Sequence, residues 1–295
     1  MKETSRTNRI NAWLAALFLV TLSLVPSSTR AGAPNWTFTS IDFPNASLTV
    51  AYDINEDGNI VGLYRNSTGF HGYLLSEGDF TTIDFPDAIQ TRAFGINSKG
   101  DIVGLYVDSS GYHGFLLEGG AFTSIDFPSA TYTEAWEINA RGDITGDYED
   151  ADGKTRSFPL TKDGRFISLD PPFAFSASLT HGLTPKSDTI VGCWWDETDI
   201  MHSLIIEDGE YITNDFPDSV MSMNWRVNPS GQMVGRYLDS AGKTHGYLYS
   251  NGTHTQIDFP DAIYTDACGI NASDRIVGMY NSPDGRRHGF LLSKE

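Results

Sequence analysis

Cysteine is nearly missing from the chain: Cys193 and Cys268 are the only two in 295 residues. That number rules out a disulfide framework and a four-cysteine zinc site. Basic residues are also scarce, twenty lysines and arginines against thirty-eight acids, a net charge of −18. Nucleic acid and anionic membranes are therefore poor partners. The longest apolar run, residues 12–25, is about fourteen residues, short of the roughly 20 that span a bilayer. No Gly-x-Ser-x-Gly elbow, His-Glu-x-x-His pair, phosphate loop or dinucleotide fingerprint occurs, so no local catalytic motif is present.

The ends carry their own signal. Lys2, Arg6 and Arg9 precede the apolar run, and small residues follow at Ala31-Gly32-Ala33, the order of a secretory signal over residues 1–33. Cleavage after Ala31 or Ala33 leaves sixteen basic residues against thirty-seven acidic ones, a net charge of −21. The mature part, 34–295, is expected to be secreted or periplasmic, monomeric and off the membrane.

What is abundant is repetition. The phrase Phe-Thr-Ser-Ile-Asp-Phe-Pro at 38–44 returns at 80–86, 122–128, 166–172, 211–217 and 254–260, at intervals of 42, 42, 44, 45 and 43 residues. Within one period, residues 93–128 read as four short strands separated by Gly, Asp and Asn clusters, with no room for a helix. Four strands per period of about forty-three residues match a propeller blade. The fold class is therefore all-β: a six-bladed β-propeller of four-stranded antiparallel blades.

Turn chemistry sets the register. Glu77-Gly78, Gly119-Gly120, Asp163-Gly164, Asp208-Gly209 and Asn251-Gly252 centre the hairpin between third and fourth strands, where positive φ angles are required. Counting outward from each turn puts His71 opposite Asp84, His113 opposite Asp126, His202 opposite Asp215 and His245 opposite Asp258, with Ser157 replacing the histidine opposite Asp170. A pair used in nearly every repeat reads as a structural hydrogen bond, since a catalyst is needed once. The last repeat stops after its third strand, and the spare fourth strand is at 36–43. Ring closure by the N-terminal strand, with Asp42 opposite His288, follows.

With its Gly-Ile-Asn, Ile-Val-Gly-Leu-Tyr and His-Gly-Phe stretches, the unit resembles the HAF-repeat family of extracellular proteins; the triplet reads His71-Gly72-Tyr73, His113-Gly114-Phe115, His245-Gly246-Tyr247 and His288-Gly289-Phe290. The resemblance covers the whole mature chain and implies a bacterial exported protein. It brings no settled activity and no catalytic residues.

A calcium loop starting at Asp53 fails, because Tyr64 holds the twelfth position where a bidentate Glu is needed. No metal or cofactor is expected.

Function is sought where the repeats differ. Before the Ile-Asn step the repeats carry Asp53, Gly95, Glu137, Gly182, Arg226 and Gly269, preceded by Tyr52, Phe94, Trp136, His181, Trp225 and Cys268. By analogy with other propellers this strand lines the central channel. One strand further out, Asp147 and Arg236 interrupt the apolar series Leu63, Leu105, Cys193 and Met279. The candidate ligand-binding residues are Asp53, Trp136, Trp194, Trp225, Arg226 and Arg236; if the chain is an enzyme, Glu137, Asp147 and His181 are its catalytic candidates. The same charges serve equally as salt bridges between blades. A second candidate surface is the connecting loops, with Tyr132, Phe173, Phe175, Met221, Met223 and Tyr264. The resulting expectation is an exported propeller that binds a glycan, a small molecule or a protein; the alternative is a hydrolase or lyase in the channel of blades three to five.

Overall fold

A computed structural model describes residues 36–167, 169, 171–175 and 177–294; residues 1–33, where a secretory signal is expected, and Asp170 lie outside the described residues. These residues form strands and turns only, and no helix among them is long and apolar enough to cross a membrane.

The repeats map onto antiparallel sheets. The first gives β2 (Leu48–Ile54), β3 (Ile60–Arg65), β4 (Phe70–Ser76) and β5 (Asp79–Ile83), paired in that order. The fourth gives β13 (Ser178–Leu183), β14 (Thr189–Trp195), β15 (Met201–Glu207) and β16 (Glu210–Thr213). The fifth gives β17 (Met221–Val227), β18 (Met233–Leu238), β19 (Thr244–Ser250) and β20 (Thr253–Ile257). In the sixth, β21 (Tyr264–Ile270), β22 (Ile276–Asn281) and β23 (Arg287–Lys294) are completed by β1 (Trp36–Ile41), which pairs antiparallel with β23. His288 Nδ1 meets Asp42 at 2.7 Å across this closure.

The second and third repeats share one seven-stranded sheet. It contains β6 (Gln90–Ile96), β7 (Ile102–Val107), β8 (Tyr112–Glu118) and β9 (Ala121–Ile125), then β10 (Tyr132–Ile138), β11 (Ile144–Glu149) and β12 (Thr155–Leu160). One parallel bridge, Tyr132 to Tyr112, joins the two groups. The fourth strand expected in the third repeat is reduced to two isolated bridges, Ser157 to Leu169 and Leu160 to Phe166. Pro159 stands in β12 where Leu74 and Leu116 donate to their ladders, and its missing N–H breaks the pairing.

Each first strand contacts the next, from β2 through β6, β10, β13 and β17 to β21, and β21 contacts β2. This closed succession of antiparallel sheets around an axis is a β-propeller-like arrangement. The repeated Asp-Phe-Pro phrase joins neighbours: its Phe stacks on the Tyr of the following second strand at 3.6 Å for Phe43 on Tyr64 and 3.7 Å for Phe85 on Tyr106. Its amide donates to a first-strand hydroxyl, as from Phe43 to Thr49 Oγ1 at 2.9 Å. His71, His113 and His245 stack on the same tyrosines and His202 on Trp194, and all four meet their aspartates: His71 Nδ1 is 2.9 Å from Asp84, His113 2.6 Å from Asp126, His202 2.7 Å from Asp215 and His245 2.8 Å from Asp258. These pairs lie at the third-to-fourth strand edge, as structural ties. Both thiols are buried and free.

Candidate functional site

The centre is organised by one β-bulge used six times. Pairing of first with second strand shifts register between Ala51 and Asp53, Ala93 and Gly95, Ala135 and Glu137, Thr180 and Gly182, Asn224 and Arg226, and Ala267 and Gly269. A bulge puts two residues opposite one, so two consecutive side chains are re-aimed to the axis. Thus Ala135 and Ile138, three apart, pack in the same inter-sheet cluster, while Trp136 and Glu137 both face inward.

The first bulged position forms an aromatic layer across the axis. Phe94 stacks on Trp136 at 4.2 Å, Trp136 meets Trp225 at 5.4 Å, and His181 meets Trp225 at 4.5 Å and Trp136 at 5.0 Å. His181 is fully buried; burial, helped by the Arg226 charge, pulls its imidazole down to about 3. It is a neutral packing residue of this layer at neutral pH.

On the side of the Asn turns, the next position holds an ion centre. Arg226 forms an ion pair with Glu137 and lies 3.7 Å from Asp53. It donates to the carbonyls of Trp136 at 2.7 Å, Phe94 at 2.8 Å and His181 at 2.6 Å, tying four repeats to one guanidinium. Burial, then the neighbouring Asp53, raises Glu137 well above the usual carboxylate range against the opposing Arg226. The alternation of charge with glycine has a steric cause: a Cβ on Gly95 would stand 2.9 Å from Glu137 Cα, one on Gly182 3.0 Å from Arg226 Cα, and one on Gly269 2.8 Å from Asp53 Cα. Outside this centre is a cavity of about 170 Å³ lined by the turns, Asn55, Asn97, Asn139, Asn228 and Asn271 among them.

On the far side of the aromatic layer, toward the connecting loops, lies a second polar centre. First strands climb about 3.3 Å per residue, so Glu134 stands two residues below Trp136 and Tyr132 two below that. The equivalent positions hold Val50, Arg92, Glu134, Leu179, Met223 and Asp266. Asp266 is buried and fully answered: Trp225 Nε1 donates to it at 2.8 Å and Arg236 at 3.1 Å, while Arg236 also reaches the Tyr264 hydroxyl at 3.0 Å. Asp147 is also buried, but its partners are neutral: Trp136 Nε1 at 2.7 Å, the Thr180 amide at 3.2 Å and Ser157 Oγ at 3.3 Å. Burial, then the Glu134 charge, raises its carboxyl well above the usual range. Glu134 faces Asp147 in register across β10 and β11; burial pushes it up to about 7, opposed by the Tyr132 hydroxyl and Arg92.

The sequence-derived candidates therefore divide. Asp53, Glu137 and Arg226 converge as expected. Glu137, Asp147 and His181 form no common site: they lie on the turn side, on the loop side and within the aromatic layer. Trp136, Trp225 and Arg236 belong to the layer and the loop-side centre. Trp194 leaves the axis altogether, stacking on His202 at 4.7 Å and meeting Phe173 at 4.6 Å. The cause is local: Pro171 stands where other repeats have the Phe of Asp-Phe-Pro, and Phe173 with Trp194 replaces the Phe–Tyr stack. Met223 is buried in the axial core rather than exposed on a loop, whereas Phe175 is 67% exposed. Arg92, Glu134 and Asp266 were missed, although their variation between repeats is visible in the sequence. Among the described residues no group of three or more His, Cys, Asp or Glu is placed to hold a metal ion.

No protein-family model and no curated protein matches the sequence. Solved structures share its fold. TolB from Acinetobacter baumannii aligns with a TM-score of 0.55 at 11% identity, over 86% of this chain and 66% of that one. The fucose-specific lectin from Aleuria aurantia aligns at 0.54 and 8%, over 85% and 93%. AofleA from Arthrobotrys oligospora aligns at 0.54 and 12%, over 90% and 84%. At such identities the likeness is one of fold, and the fold is that of a β-propeller.

Proposed function

We propose that the chain is an exported, monomeric, six-bladed propeller of the HAF-repeat type that binds a glycan or a protein on its connecting-loop face. The count of six rests on the six bulges and on the asparagine ladder, in which Asn55 donates to the Asn97 carbonyl at 3.1 Å, Asn97 to that of Asn139 at 3.2 Å, and Asn271 back to that of Asn55 at 2.9 Å. The seven-stranded sheet then divides at its single parallel bridge into two blades.

One observation carries the binding reading. The loop face exposes Ile89, Tyr112, Phe175, Val220 and Ile263 around the partly open centre of Arg92, Glu134, Arg236, Tyr132 and Tyr264. Exposed apolar groups rimming polar ones mark interaction sites. The turn-side centre is a weaker candidate, since Arg226 is consumed by its own blades. A hydrolase or lyase is the second reading, favoured by the facing carboxyls Glu134 and Asp147 rather than by Glu137 or His181.

The test is to present the mature protein to glycan and peptide arrays beside a Val220→Ser/Ile263→Ser variant that melts like the parent. A ligand lost by the variant supports the loop face. Equal binding by both proteins removes it.

A further inference from the structure

The loop face is not uniform, and its exception is the seam between the second and third repeats. Tyr112 to Tyr132 is the one bridge among the described strands that joins two of these sheets. It holds the two rings 5.3 Å apart at 41°. Tyr112 is 46% exposed, whereas the equivalent Met201 is buried and Phe70 is covered by the guanidinium of Arg92 at 5.0 Å. An aromatic face is therefore fixed by strand pairing and left open at this seam.

Beside it stand two groups of opposite charge that offset each other at a distance without forming an ion pair. Arg226 and Arg236 both have carboxylate partners. Among the described residues no carboxylate lies within ion-pair distance of Arg92; one of its nitrogens donates to Gln90 Oε1 at 3.2 Å, and its Nε has no partner. A guanidinium carries five N–H donors, so Arg92 keeps donors to offer. Glu134, on the neighbouring first strand at the same level, has the Tyr132 hydroxyl and the Trp136 indole as donors beside it, and a carboxyl with two oxygens keeps further acceptor sites.

An open aromatic face flanked by a donor fork and a carboxyl is the combination a pyranose needs: C–H groups lie on the ring, and adjacent hydroxyls both accept from and donate to the protein. We propose that this seam is a subsite for one unit of a neutral saccharide, with Tyr112 as platform and Arg92 with Glu134 as the hydrogen-bonding pair. The saccharide is neutral because Arg92 and Glu134 offset each other, and because a mature chain of net charge −21 repels polyanions. This proposal rests on the reading that the loop face binds ligands.

The experiment is calorimetric titration of the mature protein with maltotetraose, cellotetraose, xylotetraose and chitotetraose, with tetragalacturonate as the acidic control. At least one neutral tetramer is expected to bind saturably, and the acidic one not. Tyr112→Ala, Arg92→Leu and Glu134→Leu should each weaken binding ten-fold or more, while Tyr112→Trp, which keeps a platform, should retain it and show that the seam still folds. Absence of binding by every neutral tetramer, or undiminished binding by Tyr112→Ala, overturns the subsite. If Tyr112→Ala binds normally and Val220→Ser/Ile263→Ser does not, the subsite is wrong and the loop face stands; if neither variant matters, both readings fall.

Discussion

Replacing Arg226 by methionine tests whether the axis is held by one guanidinium. The substitution preserves much of the volume but removes donors to the carbonyls of Phe94, Trp136 and His181, which come from three different repeats. It also leaves Glu137 and Asp53 buried with no cation beside them. Removing one partner of a buried ion pair costs about 3–5 kcal/mol. In a domain of this size each kcal/mol lowers the melting temperature by roughly 2–4 °C, so the loss at pH 7.5 should lie near 6–20 °C.

The pH dependence separates this cause from a simple packing defect. Burial already raises Asp53 and Glu137 with Arg226 in place, and without it both rise further. A carboxyl whose folded value is raised favours the folded state when protonated; that contribution is full below its unfolded value, about 4, and is lost as pH rises toward the folded one. The penalty of Arg226→Met should thus shrink to about 1–2 kcal/mol near pH 4, where only the carbonyl hydrogen bonds are missing. Urea denaturation at pH 7.5 and 4 measures both values. An equal penalty at the two pH values, or one below about 1 kcal/mol at pH 7.5, refutes the reasoning. Arg226→Met combined with Glu137→Met should recover part of the loss, because it removes the stranded charge.

Three further outcomes follow from other parts of the ring. Glu134 is raised to about 7 from an ordinary 4.5, so its protonation supports folding below about pH 4.5 and that support fades as pH rises to 7. Glu134→Gln should stabilise by about 1–3 kcal/mol at pH 8 and be neutral at pH 4.5; identical melting shifts at both pH values would show that its carboxyl is solvated. Trp136→Phe removes the indole donor to Asp147 and should cost about 1–3 kcal/mol by denaturation, and an unchanged midpoint would mean that Asp147 finds another donor. Deleting β1 exposes the edge of β23, so melting should become broader and aggregation concentration-dependent, whereas His288→Ala alone should cost about 0.5–1.5 kcal/mol. A deletion variant that melts like the parent would show that closure is not needed.

Much of the frame was legible because it depends on local chemistry copied six times. Glycine turns fix hairpin register, and register fixes the His–Asp partners, including Asp42 with His288 across the closure; at Asp163-Gly164 the count slips by one, so that Arg156 rather than Ser157 takes the histidine's register and Ser157 pairs with Leu169. The site was less legible because a bulge is a property of pairing between strands. Strict alternation makes Trp136 and Glu137 face opposite ways, so period alone does not show that both reach the axis, or that Asp147 ends up on the other side of the indole from Glu137. The alternating series that includes Arg92, Glu134 and Asp266 was readable, but only a known bulge identifies it as a third ring of axial positions. Trp194 misled for a different reason: it looks like a functional substitution of Tyr until Pro171 and Phe173, more than twenty residues away, are recognised as its counterparts. The missing strand of the third repeat had a visible cause in Pro159, hidden by the surviving repeat phrase that follows it.

The two polar centres differ in what they leave unanswered, and that difference decides which side can recognise something. Buried charge is tolerated when it is paired and hydrogen-bonded. On the turn side Arg226 meets that condition, its donors going to backbone carbonyls and its charge to Glu137 and Asp53, so a ligand there would have to compete with the protein's own closure. On the loop side Asp266 is likewise satisfied, by Trp225 and Arg236, and both serve the frame. What remains is Arg92 without a carboxylate and Glu134 facing an uncompensated Asp147, beside the one aromatic face that the seam holds open. Groups held in that condition cost stability where they stand. A ligand that supplies acceptors to Arg92 and a donor to Glu134 relieves that cost, and the charge balance of the pair makes a neutral hydroxylated molecule the natural one to do so.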